Sequence, residues 1–125
     1  MNSDWHLLVI EDDPDGQEVV GRILTHYNIP FRTVGTAEEA VDLLNQYSFS
    51  ALIVDLALPG ADGWTLLNYV RSNPHTANTP CIAMTAYHST ELAVKAIEAG
   101  FNAYFPKPLV TAGFVAEIGR VLNAA

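Results

Sequence analysis

Five short apolar or half-apolar runs alternate with five segments of helical spacing along this chain: Leu7–Ile10, Phe31–Val34, the run that ends at Asp55, residues 81–84 and residues 103–105. Runs of this length bounded by turn residues are strands, and the longer amphipathic stretches between them are helices. Strict alternation of the two leaves few ways to bury both. The strands pair in parallel and the helices cover both faces of the sheet. Five units are too few for a closed eight-stranded barrel. The expected fold is therefore α/β, an open, doubly wound, five-stranded parallel sheet with five helices. In such a sheet the functional crevice lies at the carboxyl ends of the strands, where the winding reverses.

The helices carry signals of their own. Asp13 before Pro14 predicts an N-cap with proline in the first turn. Val19, Val20, Ile23, Leu24 and Tyr27 then share one face, and Asn28 with Pro30 ends the helix. Gly16 and Gly21 weaken it, each costing roughly 1 kcal/mol against alanine. Thr36 and Glu39 have capping-box spacing, ahead of an inward face of Ala40, Leu43, Leu44 and Tyr47. A third helix is expected over residues 64–71, with Leu66, Leu67 and Val70 inward. A fourth turns Leu92, Ala93, Ala96 and Ile97 inward and closes at Gly100, a left-handed C-cap. The fifth, residues 111–123, points Phe114, Val115, Ile118 and Leu122 one way.

Composition narrows the function classes. At 125 residues the chain is one domain, residues 1–125, able to bury its core without staples. No apolar run nears the roughly 18 residues that span a membrane, so no membrane partner is expected. Residues 1–6 carry no basic residue and lead straight into the first strand, so no signal peptide is expected. The one cysteine, Cys81, excludes an internal disulfide framework and suits a reducing compartment, which makes the cytoplasm the expected location. A net charge of −8 with six scattered Lys and Arg argues against direct nucleic-acid binding. Eleven of the fourteen acids lie at or before Asp62, as a solvated face or in part a cation site. His6, His26, His75 and His88 show no metal-ligand spacing and read as structural or surface residues.

The expected fold brings a particular set of side chains to the carboxyl edge: Glu11 and Asp12 after strand one, Asp55 after strand three, Thr85 after strand four, and Lys107 after strand five. Two like charges about 4 Å apart repel by roughly 4 kcal/mol at an effective dielectric of 20. Three carboxylates in one pocket therefore raise one another's proton affinity unless a cation sits among them. With no Cys or His nearby, oxygen ligands select a hard ion, Mg²⁺ or Mn²⁺. Lys107 adds a point positive charge suited to a phosphate oxygen, and Thr85 a neutral donor. Such a site suits a small dianion bound with a metal, and a phosphoryl group is the natural candidate.

On these residues the chain resembles the CheY-like receiver domains of response regulators in two-component signal transduction, over essentially its whole length. The matching pieces are Glu11 and Asp12, Asp55 through Pro59 with Asp62 and Gly63, Thr85 and Ala86, Tyr104, and Lys107 with Pro108. The resemblance implies a flavodoxin-like receiver fold with strand order 2-1-3-4-5. It implies a phosphoacceptor at Asp55, which takes a phosphoryl group from a phosphohistidine of a sensor histidine kinase or histidine phosphotransfer protein. Asp12 then binds Mg²⁺ directly, Glu11 chiefly through water, and the backbone carbonyl of Ala57 is a further ligand, beside Asp55 itself. Lys107 holds a phosphoryl oxygen, and the Lys107–Pro108 peptide is cis.

The resemblance also implies a switch. Thr85 hydrogen-bonds the phosphoryl group, Tyr104 rotates from exposed to buried behind it, and helix four, strand five and helix five form the face read by a downstream protein partner. Helix five is apolar and poor in charge, with Glu117 and Arg120 alone, which leaves a homodimer through that face open. Leu58 stands where the family often has Met. Ala57 and Tyr87, two past Asp55 and Thr85, fall where the family varies and where water reaches the phosphoryl group. A side chain without a polar group and a bulky one there imply slow self-dephosphorylation.

Two rival readings fare less well. A phosphohydrolase of the haloacid-dehalogenase type places a second Asp two past its nucleophile to protonate a leaving alcohol. Ala57 occupies that position. A receiver fold kept only for protein interaction would be expected to lose Asp55, Lys107 or the acidic pair, and all are present. The expected role is thus a signalling receiver that assists its own phosphorylation, not an enzyme acting on substrates.

Overall fold

The computed structural model describes residues 5–58 and 62–124. Pro59, one of the pieces matching the receiver pattern, lies outside them, as do the first four residues of the expected leaderless start. Five strands form one sheet: β1 (Leu7–Ile10), β2 (Phe31–Val34), β3 (Ala51–Asp55), β4 (Cys81–Thr85) and β5 (Ala103–Pro106). Their order is β2-β1-β3-β4-β5, and every pairing is parallel. The helices are α1 (Pro14–His26), α2 (Ala37–Leu44), α3 (Gly63–Ser72), α4 (Thr90–Ala99) and α5 (Thr111–Ala124). The order reverses direction between β1 and β3, so the crevice falls where the first and third strands end side by side.

Alternation along the strands splits the core in two. Leu8, Ile10, Leu52, Val54 and Ala83 pack on one face with Ala40, Leu66, Val70 and Ala96 of α2, α3 and α4. Leu7, Val9, Ile53, Ile82 and Met84 pack on the other with Leu24 of α1 and Phe114 and Ile118 of α5. β1, β3 and β4 are buried on every residue, whereas β2 is half-exposed, as expected of an edge.

The caps expected at Asp13 and Thr36 form, and Asp62 and Ser89 cap two further helices. Asp13 accepts from Asp15 N–H, Thr36 from Glu39 N–H, Asp62 from Thr65 N–H and Ser89 from Leu92 N–H. The Glu39 carboxylate of the capping box accepts from Gly35 N–H, one residue before the cap. Gly100 closes α4 at φ +122°.

Three inward assignments are corrected. α2 ends at Leu44, so Tyr47 lies beyond it and is exposed, with the Arg32 guanidinium over its ring. Ile97 and Val19 are exposed as well. In α4 only Ala96 is fully buried. The sheet covers a narrower stripe of each helix than its apolar residues would fill, and the surplus faces solvent.

Candidate functional site

β1 ends at Ile10, and the chain then enters α1 through Glu11, Asp12 and Asp13. Glu11 is fully buried, while Asp12 is exposed. The Glu11 backbone is pinned on both sides: its N–H donates to Val34 O at 3.0 Å, and its carbonyl accepts from Gln17 Nε2 at 2.6 Å. Its Oε2 accepts from Asp13 N–H at 3.2 Å. The last residue of β3 is Asp55, also buried, whose Oδ1 accepts from Ala57 N–H at 2.9 Å. Gly63 begins α3 so close to this strand end that a β-carbon there would lie 2.8 Å from Asp55 O. The absent side chain lets α3 seat directly behind Asp55.

Carboxylate oxygens of Glu11, Asp12 and Asp55 all lie within 4.8 Å of one another. Lys107, one past β5, is aimed at them: its Nζ donates to Glu11 Oε1 and, at 3.1 Å, to Asp55 Oδ2. The adjoining Lys107–Pro108 peptide is cis. Burial raises the Glu11 carboxyl above its usual range, and the bond from Lys107 opposes this. Burial alone would lower Lys107, but its bonds to Glu11 and Asp55 outweigh it and raise the ammonium further.

Thr85 ends β4, and its carbonyl accepts from Lys107 N–H at 2.8 Å. It is buried, and its Oγ1 accepts from Tyr87 N–H at 3.0 Å, which leaves its hydroxyl proton free to donate. Tyr87 itself is 75% exposed. Tyr104 is half-buried on β5, and its hydroxyl lies 3.0 Å from His88 Nδ1. The fold thus brings together Glu11, Asp12, Asp55 and Lys107, with Thr85 beside them at the end of β4, while Tyr104 stands apart on the neighbouring strand.

The family model of the response regulator receiver domain matches residues 7–118. The chain belongs to this family. It is 35% identical over 103 residues to an uncharacterised 14.6 kDa protein of Leptolyngbya boryana, covering 82% of this chain and 79% of that one. It is 30% identical to the transcriptional regulatory protein HprR of Escherichia coli, over 94% of this chain but 51% of that protein. With the response regulator FleR of Pseudomonas aeruginosa the identity is 33%, over 91% of this chain and 24% of that protein. The receiver therefore spans about half and a quarter of those two regulators. A putative response regulator from Chloroflexus aurantiacus superposes with a TM-score of 0.91 at 31% identity, covering 95% of this chain and 98% of that one. The receiver domain of the sensor histidine kinase PA1611 from Pseudomonas aeruginosa, solved with a magnesium ion in its active-site cleft, superposes with a TM-score of 0.87 at 25% identity over 95% and 98%.

Three participants in this receiver had no signal, or a misleading one, in the sequence. Gln17 is an ordinary polar helix residue until the fold sets it under the Glu11 carbonyl. Gly16, a weakness by helix propensity, abuts the Glu11 side chain. His88, without metal-ligand spacing, proves to be the partner of Tyr104. In each case the partner is fixed by the fold and not by a motif.

Proposed function

We propose that this receiver takes a phosphoryl group from a phosphohistidine of a sensor histidine kinase or histidine phosphotransfer protein onto Asp55, with a divalent cation, and presents the α4–β5–α5 face to a downstream protein partner. The observation that carries this is the meeting of three carboxylates with the Lys107 ammonium at the carboxyl edge of β1 and β3. The donor set suits Mg²⁺, or Mn²⁺ in its place, because every candidate ligand is a hard oxygen. Asp12, Asp55 and the Ala57 carbonyl would hold the ion, with Glu11 behind them. Bound there, it would neutralise charge on the carboxylates and on the incoming phosphoryl group.

Asp55 forms the new P–O bond as the P–N bond to imidazole breaks; the imidazole leaves with the bonding pair and takes up a proton. A nitrogen leaving group needs no acid from the protein, which fits Ala57 two residues on. What the protein supplies is position and charge. Ala57 N–H and Lys107 hold the two Asp55 oxygens at 2.9 and 3.1 Å, so the carboxylate cannot turn freely. After transfer, Lys107 follows a phosphoryl oxygen and the Thr85 hydroxyl donates to another. Tyr104 then moves inward, away from His88.

Incubation of the full chain with a small phosphodonor and Mg²⁺, read by intact mass, tests the proposal. One phosphoryl group should add to the native chain, and none to Asp55→Ala or in chelator. Equal addition to Asp55→Ala would overturn it.

A further inference from the structure

Helix α1 has a glycine at which an added β-carbon would run into the Glu11 side chain. A β-carbon built on Gly16 would lie 2.7 Å from Glu11 Cδ and 3.0 Å from Glu11 Cγ. Glu11 cannot simply swing aside. It is fully buried, Asp13 N–H holds Oε2, Lys107 holds Oε1, and Gln17 ties down the carbonyl. Alanine is the better helix former, yet the bare α-carbon of Gly16 is the wall against which this carboxylate rests. Lys107 in turn bridges from that carboxylate to Asp55 Oδ2.

We propose that Gly16 is a positioning residue: the space left by its missing side chain seats the Glu11 carboxylate, and the Glu11–Gly16 pair thereby sets where Lys107 stands over Asp55. The functional meaning of that placement rests on Asp55 as phosphoacceptor, but the pairing itself is a matter of shape. Glutamate reaches one methylene further towards α1 than aspartate would. A side chain at position 16 therefore crowds Glu11 most at its carboxylate, with Cδ 2.7 Å away, and the shorter acid removes that contact, leaving the one at the Cγ position, 3.0 Å, as the tightest. Any β-carbon there displaces the carboxylate from Lys107 while leaving the remaining core contacts of α1, through Val20, Ile23 and Leu24, in place.

The two lysines of the chain make the test direct, because Lys95 is an internal reference for Lys107. Metal-free protein is acetylated with limiting anhydride, and labelling at each lysine is read by peptide mass spectrometry. Gly16→Ala should raise Lys107 labelling relative to Lys95 on the order of fivefold, and adding Glu11→Asp should return it to near the native ratio. An unchanged ratio in Gly16→Ala, or a double variant that labels as fast as the single one, overturns the pairing. Should Gly16→Ala alone fail to fold, the double variant decides by circular dichroism: folded supports the pairing, unfolded overturns it. Phosphoryl uptake by the same variants should follow the labelling. Because the labelling needs neither metal nor phosphodonor, a native chain that takes no phosphoryl group would remove the proposed function and leave the pairing to be decided by Lys107.

Discussion

The Lys107 ammonium lies 3.1 Å from Asp55 Oδ2, joining residues 52 positions apart in the chain and two strands apart in the sheet. It also bonds Glu11, so one cation serves two buried carboxylates. Removing it leaves like charges facing each other with no protein cation between them, and takes away the donor for a phosphoryl oxygen. Lys107→Ala should slow phosphoryl uptake on the order of a hundredfold while the chain stays folded. Uptake at the native rate, followed by intact mass over time, would contradict this role.

The buried acid gives a pH signature. Glu11 has a raised pKa in the fold, so the folded state holds its proton more tightly than the unfolded state. Stability must then fall as pH rises from the ordinary 4.5 through the folded value. Glu11→Gln removes this contribution. The melting temperature of the metal-free native chain should fall relative to that of Glu11→Gln as pH rises above the ordinary 4.5. Lys107 acts at the other end: its stabilisation is complete below the ordinary 10.5 and is lost as pH rises through the higher folded value. A constant offset between the melting curves from acid to neutral pH would show that Glu11 does not titrate as described.

Stability at the opposite edge depends on Arg71. Its guanidinium donates to Ala77 O, Thr79 O, Gly100 O and Asn102 Oδ1, between 2.6 and 3.1 Å. Asn102 Oδ1 also accepts from Cys81 N–H, so α3, the end of α4 and the start of β4 are held by one side chain. Arg71→Ala should destabilise the fold by about 2–4 kcal/mol. Urea unfolding measures this. Burial pushes the Cys81 thiol up to about 11, so its slow reaction with a thiol reagent should quicken in step. Phosphoryl uptake at low temperature should be unchanged, since Arg71 lies away from Asp55.

The phosphoryl group, once on Asp55, should be lost slowly. Ala57 is exposed but has no polar side-chain group, and Tyr87 stands beside Thr85 with its ring largely in solvent. Neither orients an attacking water. Ala57→Asn should speed the loss severalfold, on the order of a single placed donor. Rapid loss from the native chain in Mg²⁺ buffer without a phosphatase would contradict this account.

Much of this is legible in the sequence alone. The strands were visible because each short apolar run ends at a charged or turn residue, and the caps at Asp13, Thr36 and Gly100 are local chemistry. The edge set of Glu11, Asp12, Asp55, Thr85 and Lys107 follows from a parallel sheet, whose strands all end at one edge. Burial within helices was harder to see. Val19 and Ile97 fit an apolar stripe, yet the sheet covers only part of each helix, and no periodicity reveals where that cover stops. Arg71 left no trace either, because three of its four acceptors are backbone carbonyls, which every residue has. Gly16 misled for a similar reason: propensity registers its cost as a helix residue, and only the fold reveals what fills the space.

The central claim is that Asp55, and no neighbouring acid, is the phosphoacceptor. Borohydride reduces an aspartyl phosphate to homoserine and leaves free carboxylates alone, so the modified position can be located by tandem mass spectrometry after phosphorylation in Mg²⁺. The account predicts homoserine at position 55 and nowhere else. Homoserine at position 12 or 13, or a phosphorylated chain with aspartate still intact at 55, would contradict it.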